Sequence, residues 1–82
     1  MNKKLSRFDE AIGWTGAISL MGAYMLSSFG FLSAQSYPYQ LLNIFGALFI
    51  IYISYKKQVY QSVILNLMWF IIGIIAFIQI IL

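Results

Sequence analysis

Few side chains in this 82-residue chain could do polar chemistry. Its two carboxylates are Asp9 and Glu10, and it has neither Cys nor His. Adjacent residues on a helix point about 100° apart, so this pair is badly placed to flank a substrate as acid and base. Without thiol or imidazole there is no disulfide, no iron–sulfur cluster and no zinc site of the usual kind. The chain is therefore expected not to be an enzyme and to carry no cofactor and no metal.

The other polar groups are amides, hydroxyls and aromatic rings set inside long uncharged stretches. An amide offers both a donor and an acceptor, and a ring offers a stacking face, a combination suited to a small polar solute. Asn66, Trp69, Asn43 and Tyr24 form the candidate solute-binding set. No Asp, Glu, Lys, Arg or His lies among them. A side-chain proton relay, a voltage sensor and a charged selectivity ring are excluded on that ground, which leaves facilitated diffusion as the natural mode of any transport.

These residues need elements to hold them. At 62% hydrophobic and 9% charged, with mean hydropathy +0.87, the chain is too apolar for a soluble domain of its size. Residues 11–55 and 58–82 are uncharged runs of 45 and 25 residues. A helix needs about 20 residues to cross the hydrocarbon of a bilayer, so the first run holds two spans and the second holds one. The polar cluster at 33–37 breaks the first run, and Pro38, which tolerates a first turn, opens the next helix. The expected fold is an all-α transmembrane bundle in a single domain, with spans near 11–32, 38–55 and 59–81. Residues 1–10 form a short interfacial segment in which Ser6 and Asp9 cap a turn carrying Leu5, Phe8 and Ile12.

Lys3, Lys4 and Arg7 precede the first span and Lys56 and Lys57 join the second to the third, so all five positive residues fall on one side. The positive-inside rule makes that side the cytoplasm, with the N-terminus in, the C-terminus out, and the cytoplasmic (inner) membrane as the location. The net charge of +3 comes from these two short segments and gives no nucleic-acid-binding face. Counting 1.5 Å per residue from the cytoplasmic end puts Tyr24 at about 20 Å, Asn43 at about 18 Å, Trp69 at about 17 Å and Asn66 at about 12 Å.

Each span also has a face of small or polar residues: Thr15, Ser19, Gly22, Ala23 and Ser27 on the first; Gln40, Asn43, Ala47 and Ser54, with Gly46 beside them, on the second; Ser62, Asn66, Trp69, Gly73 and Ala76 on the third. Small residues let helix backbones approach, so Gly16, Gly22, Gly46 and Gly73 are expected at helix contacts. Packing alone would account for such stripes, and a solute pathway is the sharper reading of them.

The run Ile12-Gly13-Trp14-x-Gly16, then Tyr24, then Tyr39-Gln40-x-x-Asn43-x-x-Gly46-Ala47, and finally Asn66-x-x-Trp69 resembles a set of small, uncharacterised bacterial integral membrane proteins with three helices and a permease-like description. More distantly, a Gly in the second helix and an Asn in the third resemble the half-size sugar transporters called SemiSWEETs and the wider PQ-loop group, in which two triple-helix bundles pair around one site. That resemblance implies a substrate contact for Asn66 and matches Gly46 to a glycine of the second helix. The chain departs from the group in lacking a Pro-Gln pair between Gly13 and Phe31. It also has an aliphatic residue near Ile50 where the pocket Trp would stand, which argues against a sugar.

The expected function is that of a half-transporter, a chain that pairs with a second copy in the lipid bilayer to hold a small polar solute near the midplane. The alternative is an accessory or structural subunit whose polar stripes dock on a larger membrane partner. The topology makes a direct prediction. A cysteine added after Leu82 is expected to react with a membrane-impermeant maleimide from outside intact cells, and labelling from the cytoplasmic side alone would reverse the orientation.

Overall fold

The computed structural model describes residues 5–82, so Lys3 and Lys4, on which the orientation partly rests, lie outside the described residues. The fold is all-α, with α1 (Arg7–Ser28), α2 (Tyr37–Lys56) and α3 (Tyr60–Ile81). α2 and α3 are long and apolar enough to cross a membrane. α1, which gives many of its positions to Gly, Ser and Thr, falls outside that criterion.

Local chemistry sets the ends of α1 and α2. α1 starts four residues before the expected span because Ser6 and Asp9 close a capping box. The Asp9 N–H donates to Ser6 Oγ at 3.0 Å and the Ser6 N–H donates to the Asp9 carboxylate at 3.2 Å. The expected interfacial turn is therefore the first turn of α1 itself. The same helix stops at Ser28, short of residue 32, because Gly30 adopts φ +85° and folds the chain back. The Phe31 N–H reaches the Leu26 carbonyl at 2.8 Å and the Gly30 N–H reaches that of Ser27 at 3.2 Å, a Schellman ending. α2 opens on Ser36, whose hydroxyl accepts from the Tyr39 N–H, with Pro38 in the first turn. It closes with the same pattern around Gln58, a non-glycine at φ 62°, where the Val59 N–H reaches the Ser54 carbonyl at 2.9 Å.

α2 lies in the middle and packs against both neighbours, while among the described residues α1 and α3 do not pack on each other. The expected bundle is thus an open one, with a gap between its outer helices. A Cβ added at Gly16 would lie 2.7 Å from Phe49 Cβ and 2.9 Å from the Gly46 carbonyl oxygen, and one added at Gly46 would lie 2.8 Å from Leu20 Cγ. Here the backbones of α1 and α2 touch. On the other flank a Cβ at Gly73 would meet Ile44 Cγ1 at 3.0 Å, so α3 rides on α2 at that point.

Gly22 takes no part, since nothing lies within 4 Å of where its Cβ would stand. The packing face of α1 runs through Gly13, Gly16, Leu20 and Ala23. Gly22 is six residues from Gly16, which turns it about 120° away around the helix. Of the face expected on the first span, Ala23 is the member that is buried.

Burial is inverted relative to a protein folded in water. The buried side chains are Ala23, Ala47, Ile44 and Ile53 with the polar Asp9, Gln40, Asn43 and Ser54, whereas the other large apolar residues of all three helices are mostly exposed. No large side chain among the described residues is fully buried. α3 is the extreme case, with 6% of its most apolar stretch buried.

Because the Gly16 and Gly46 contacts involve backbone, they cannot give way to a larger side chain. Gly16→Val and Gly46→Val are each expected to destabilise the fold by about 1–3 kcal/mol, as overpacking does. Gly22→Ala should leave it unchanged or slightly more stable. Thermal unfolding in detergent micelles, followed by helix content, checks both expectations.

Candidate functional site

The gap between α1 and α3 forms a groove of about 210 Å³ along α2. Asn43 and Tyr39 line it from α2, one turn apart on the same face. Leu20 and Tyr24 line it from α1, and Leu65, Asn66 and Trp69 from α3. Asn66, Trp69, Asn43 and Tyr24 are thus brought together in one groove from three different helices. Tyr39 joins them there, a residue outside the expected solute-binding set. Its spacing of four from Asn43 was the signal that it shares the same helix face.

The two amides are in different states. Asn66 Nδ2 donates to the Ser62 carbonyl one turn back at 2.9 Å and lies 3.4 Å from Ser62 Oγ. A carbonyl only accepts, so this contact fixes which end of the amide is nitrogen and leaves Asn66 Oδ1 without a partner. Ser62 Oγ in turn pairs with Ser54 Oγ of α2 at 2.8 Å, so the amide is anchored across the α2–α3 interface. Asn43 is 8% exposed, and its side chain makes no hydrogen bond among the described residues. Beside these amides, Trp69 is half exposed and Tyr24 more so.

A larger depression of about 650 Å³ lies where the α1–α2 turn meets the end of α3, among Ala34, Gln35, Gln40, Ala76, Gln79 and Ile80. Its buried amide, Gln40, already donates to the Ala34 carbonyl at 2.9 Å. The Asn43 amide, unpaired among the described residues, opens on the smaller groove, which is the stronger candidate for a ligand.

At the far end sits a charged cluster that spacing did not reveal. Asp9 Oδ1 accepts from the Tyr52 hydroxyl at 2.7 Å, and Lys56 Nζ lies 3.3 and 3.1 Å from the two carboxylate oxygens. The carboxylate is 7% exposed, and the Lys56 ammonium also lies 5.3 Å from the centroid of the Tyr52 ring. Glu10 and Lys57 form a looser, exposed pair at 3.9 Å. These contacts clamp the start of α1 to the end of α2 and bring Asp9, Glu10, Lys56 and Lys57 to one end of the described residues. The available signal was that Asp9 and Glu10 are the chain's two carboxylates and stand at the head of an otherwise uncharged run.

The Tyr52 hydroxyl, the Ser6 N–H and Lys56 hold the Asp9 carboxyl below its ordinary 3.8, at about 2, against the opposing effect of burial. The carboxylate form is the one the fold prefers. Its stabilising contribution is complete above the ordinary value and is lost as the pH falls through about 2.

Fold and groove together define an all-α, three-helix protein with an uncharged cleft walled by helices that do not meet. The chain belongs to an uncharacterised protein family whose model matches residues 10–82. No curated protein and no solved structure matches it. The matched region takes in all of α2 and α3 and nearly all of α1.

Tyr52→Phe removes the shortest hydrogen bond to Asp9. The variant is expected to be less stable than wild type at neutral pH and to lose less on acidification between about pH 4 and pH 2, because its Asp9 titrates closer to the ordinary value. Unfolding midpoints measured across that range check it. An acid loss as large as that of wild type would show that Tyr52 does not hold the carboxylate.

Proposed function

We propose that this chain is a three-span membrane protein that pairs with a second copy and passes a small, uncharged polar solute through the groove around Asn43, Asn66, Trp69 and Tyr24. The observation that carries the reading is the Asn43 amide, which has no hydrogen-bond partner among the described residues and whose polar atoms stay open to a groove lined by residues of all three helices. An amide that is unpaired yet accessible offers a ligand both a donor and an acceptor without first breaking a bond within the fold.

Burial supports the membrane part of the reading. Away from its Ser62–Asn66 stripe α3 is apolar and barely buried, which is stable in lipid and not in water. In the proposed orientation the cluster around Asp9, Lys56 and Lys57 faces the cytoplasm of the inner membrane, following the positive-inside rule. Pairing follows from the shape, because α1 and α3 leave the groove open and a second copy related by a two-fold axis closes it. With no charged side chain in the groove, movement down a gradient is the mode this lining supports.

Uptake into liposomes over a panel of sugars, nucleosides and vitamins tests the reading. At least one solute is expected to enter faster than in protein-free vesicles, with flux reduced about tenfold in Asn66→Ala, the loss that goes with one hydrogen bond to the solute. Equal flux in wild type and Asn66→Ala removes the site. Absence of flux for the whole panel, together with a monomer in crosslinking, favours the accessory-subunit alternative, in which a helix of a larger membrane protein covers the same open side.

A further inference from the structure

We infer that the groove selects an uncharged, planar, ring-sized solute that carries an N–H donor beside a carbonyl or ring-nitrogen acceptor, the edge presented by cyclic amides and nucleobases. This rests on the binding reading above and names the ligand class.

The hydrogen-bonding groups set the edge. Asn43 retains both its donor and its acceptor, so it can pair with a cyclic amide through two parallel hydrogen bonds, as Asn does with the edge of adenine. Asn66 cannot act in the same way, because Nδ2 donates to the Ser62 carbonyl at 2.9 Å and to Ser62 Oγ at 3.4 Å, and Oδ1 is what remains. The groove therefore has an excess of acceptor on the α3 side, and a solute with no N–H or O–H leaves Asn66 Oδ1 unpaired. The Ser54–Ser62 hydroxyl pair at 2.8 Å keeps that acceptor in place, which makes both serines positioning residues.

The rings set the shape. Trp69 and Tyr24 stand on opposite walls, each with much of its ring uncovered. A flat solute can lay a face on the indole, whereas a polyol gains little there and brings more hydroxyls than this lining can satisfy. The volume sets the size. About 210 Å³ is somewhat more than the roughly 150 Å³ of apolar cavity that accepts benzene, so one substituted ring fits within a single copy. The charge follows from the same lining: Leu20, Tyr24, Tyr39, Asn43, Leu65, Asn66 and Trp69 supply no counter-ion, so a charged solute would be desolvated without compensation.

Trp14 lies on the first turns of α1, away from the groove, so Trp14→Phe leaves Trp69 as the sole tryptophan and a direct optical probe. In lipid nanodiscs, uracil is expected to change Trp69 emission saturably. 1,3-Dimethyluracil, which keeps the ring and loses both N–H groups, and glucose are each expected to bind at least tenfold more weakly. Asn43→Leu and Asn66→Leu should each weaken uracil at least tenfold, and the ligand series on the Trp14→Phe protein decides the matter if either variant fails to fold. Equal binding of uracil and 1,3-dimethyluracil, or preference for glucose, overturns the ligand class while leaving the site standing. Uracil binding undiminished in both Asn variants overturns the placement. No saturable response to any of the three overturns the inference, and the liposome panel then reports separately whether transport itself survives with another solute.

Discussion

Gly16 and Gly46 let α1 and α2 meet backbone to backbone, and the positions of the other groups follow from that approach. The buried residues of α1 are Asp9, Gly16 and Ala23, spaced by seven, a repeat that keeps one seam of a helix turned toward its partner. At one end of the seam the closeness brings Asp9 within 2.7 Å of the Tyr52 hydroxyl. At the other, Ala23 is small enough to be wholly covered. A larger residue at Gly16 would hold the helices apart, and the carboxylate two turns away would lose the partners that make its burial tolerable.

The polar residues of the interior can be traced one by one. Asp9 has Tyr52, Lys56 and Ser6; Gln40 has the Ala34 carbonyl; Ser54 has Ser62. Each of these bonds joins two elements or ties a turn to the helix that follows it, so each has a structural purpose. Asn43 is the exception, a residue as covered as Gln40 whose amide atoms make no such bond among the described residues and stay open to the groove. Helix packing accounts well for Gly73, Ala47 and Ser54, yet it gives no reason for an amide at residue 43, where an aliphatic side chain would fill the space at lower cost. The case for a ligand is strongest at this residue for that reason, and weaker at Trp69 and Tyr24, which are exposed on a surface rich in aromatic rings.

Much of the architecture could be read from the chain because it depends on local rules. Uncharged runs of fixed length gave three helices, Pro38 and Ser36 marked the start of the second, and Ser6 with Asp9 marked a cap. The groove residues could be read for a related reason: Asn43, Asn66, Trp69 and Tyr24 are exceptions in apolar helices, and similar distances from the charged end put them at one level. What escaped was tertiary. Gly22 looked equivalent to Gly16 until the seam fixed which side of α1 faces α2. Tyr52 could not be matched to Asp9 because a contact between residues 43 positions apart leaves no periodic trace in either helix. The stop at Gly30 was readable in principle, since a glycine shortly after an apolar helix is a common ending, but the polar cluster at 33–37 offered a more conspicuous boundary.

The central place of α2 has a consequence for how so small a chain could build a solute path. Three helices in mutual contact would bury their polar groups against one another and leave no cleft, whereas α1 and α3 packed on α2 alone leave one along its length. Within a single copy that cleft has Asn43 and Tyr39 on its floor and nothing opposite them. Under the proposed pairing the interface is isologous, so whatever one copy presents across the axis its partner presents in return. Each amide and ring is then doubled without any new residue type, and the pathway remains free of charge. A chain with no charged side chain between residues 11 and 55 could in this way offer a polar solute a bonded route through hydrocarbon while giving a metal ion no counter-charge to follow.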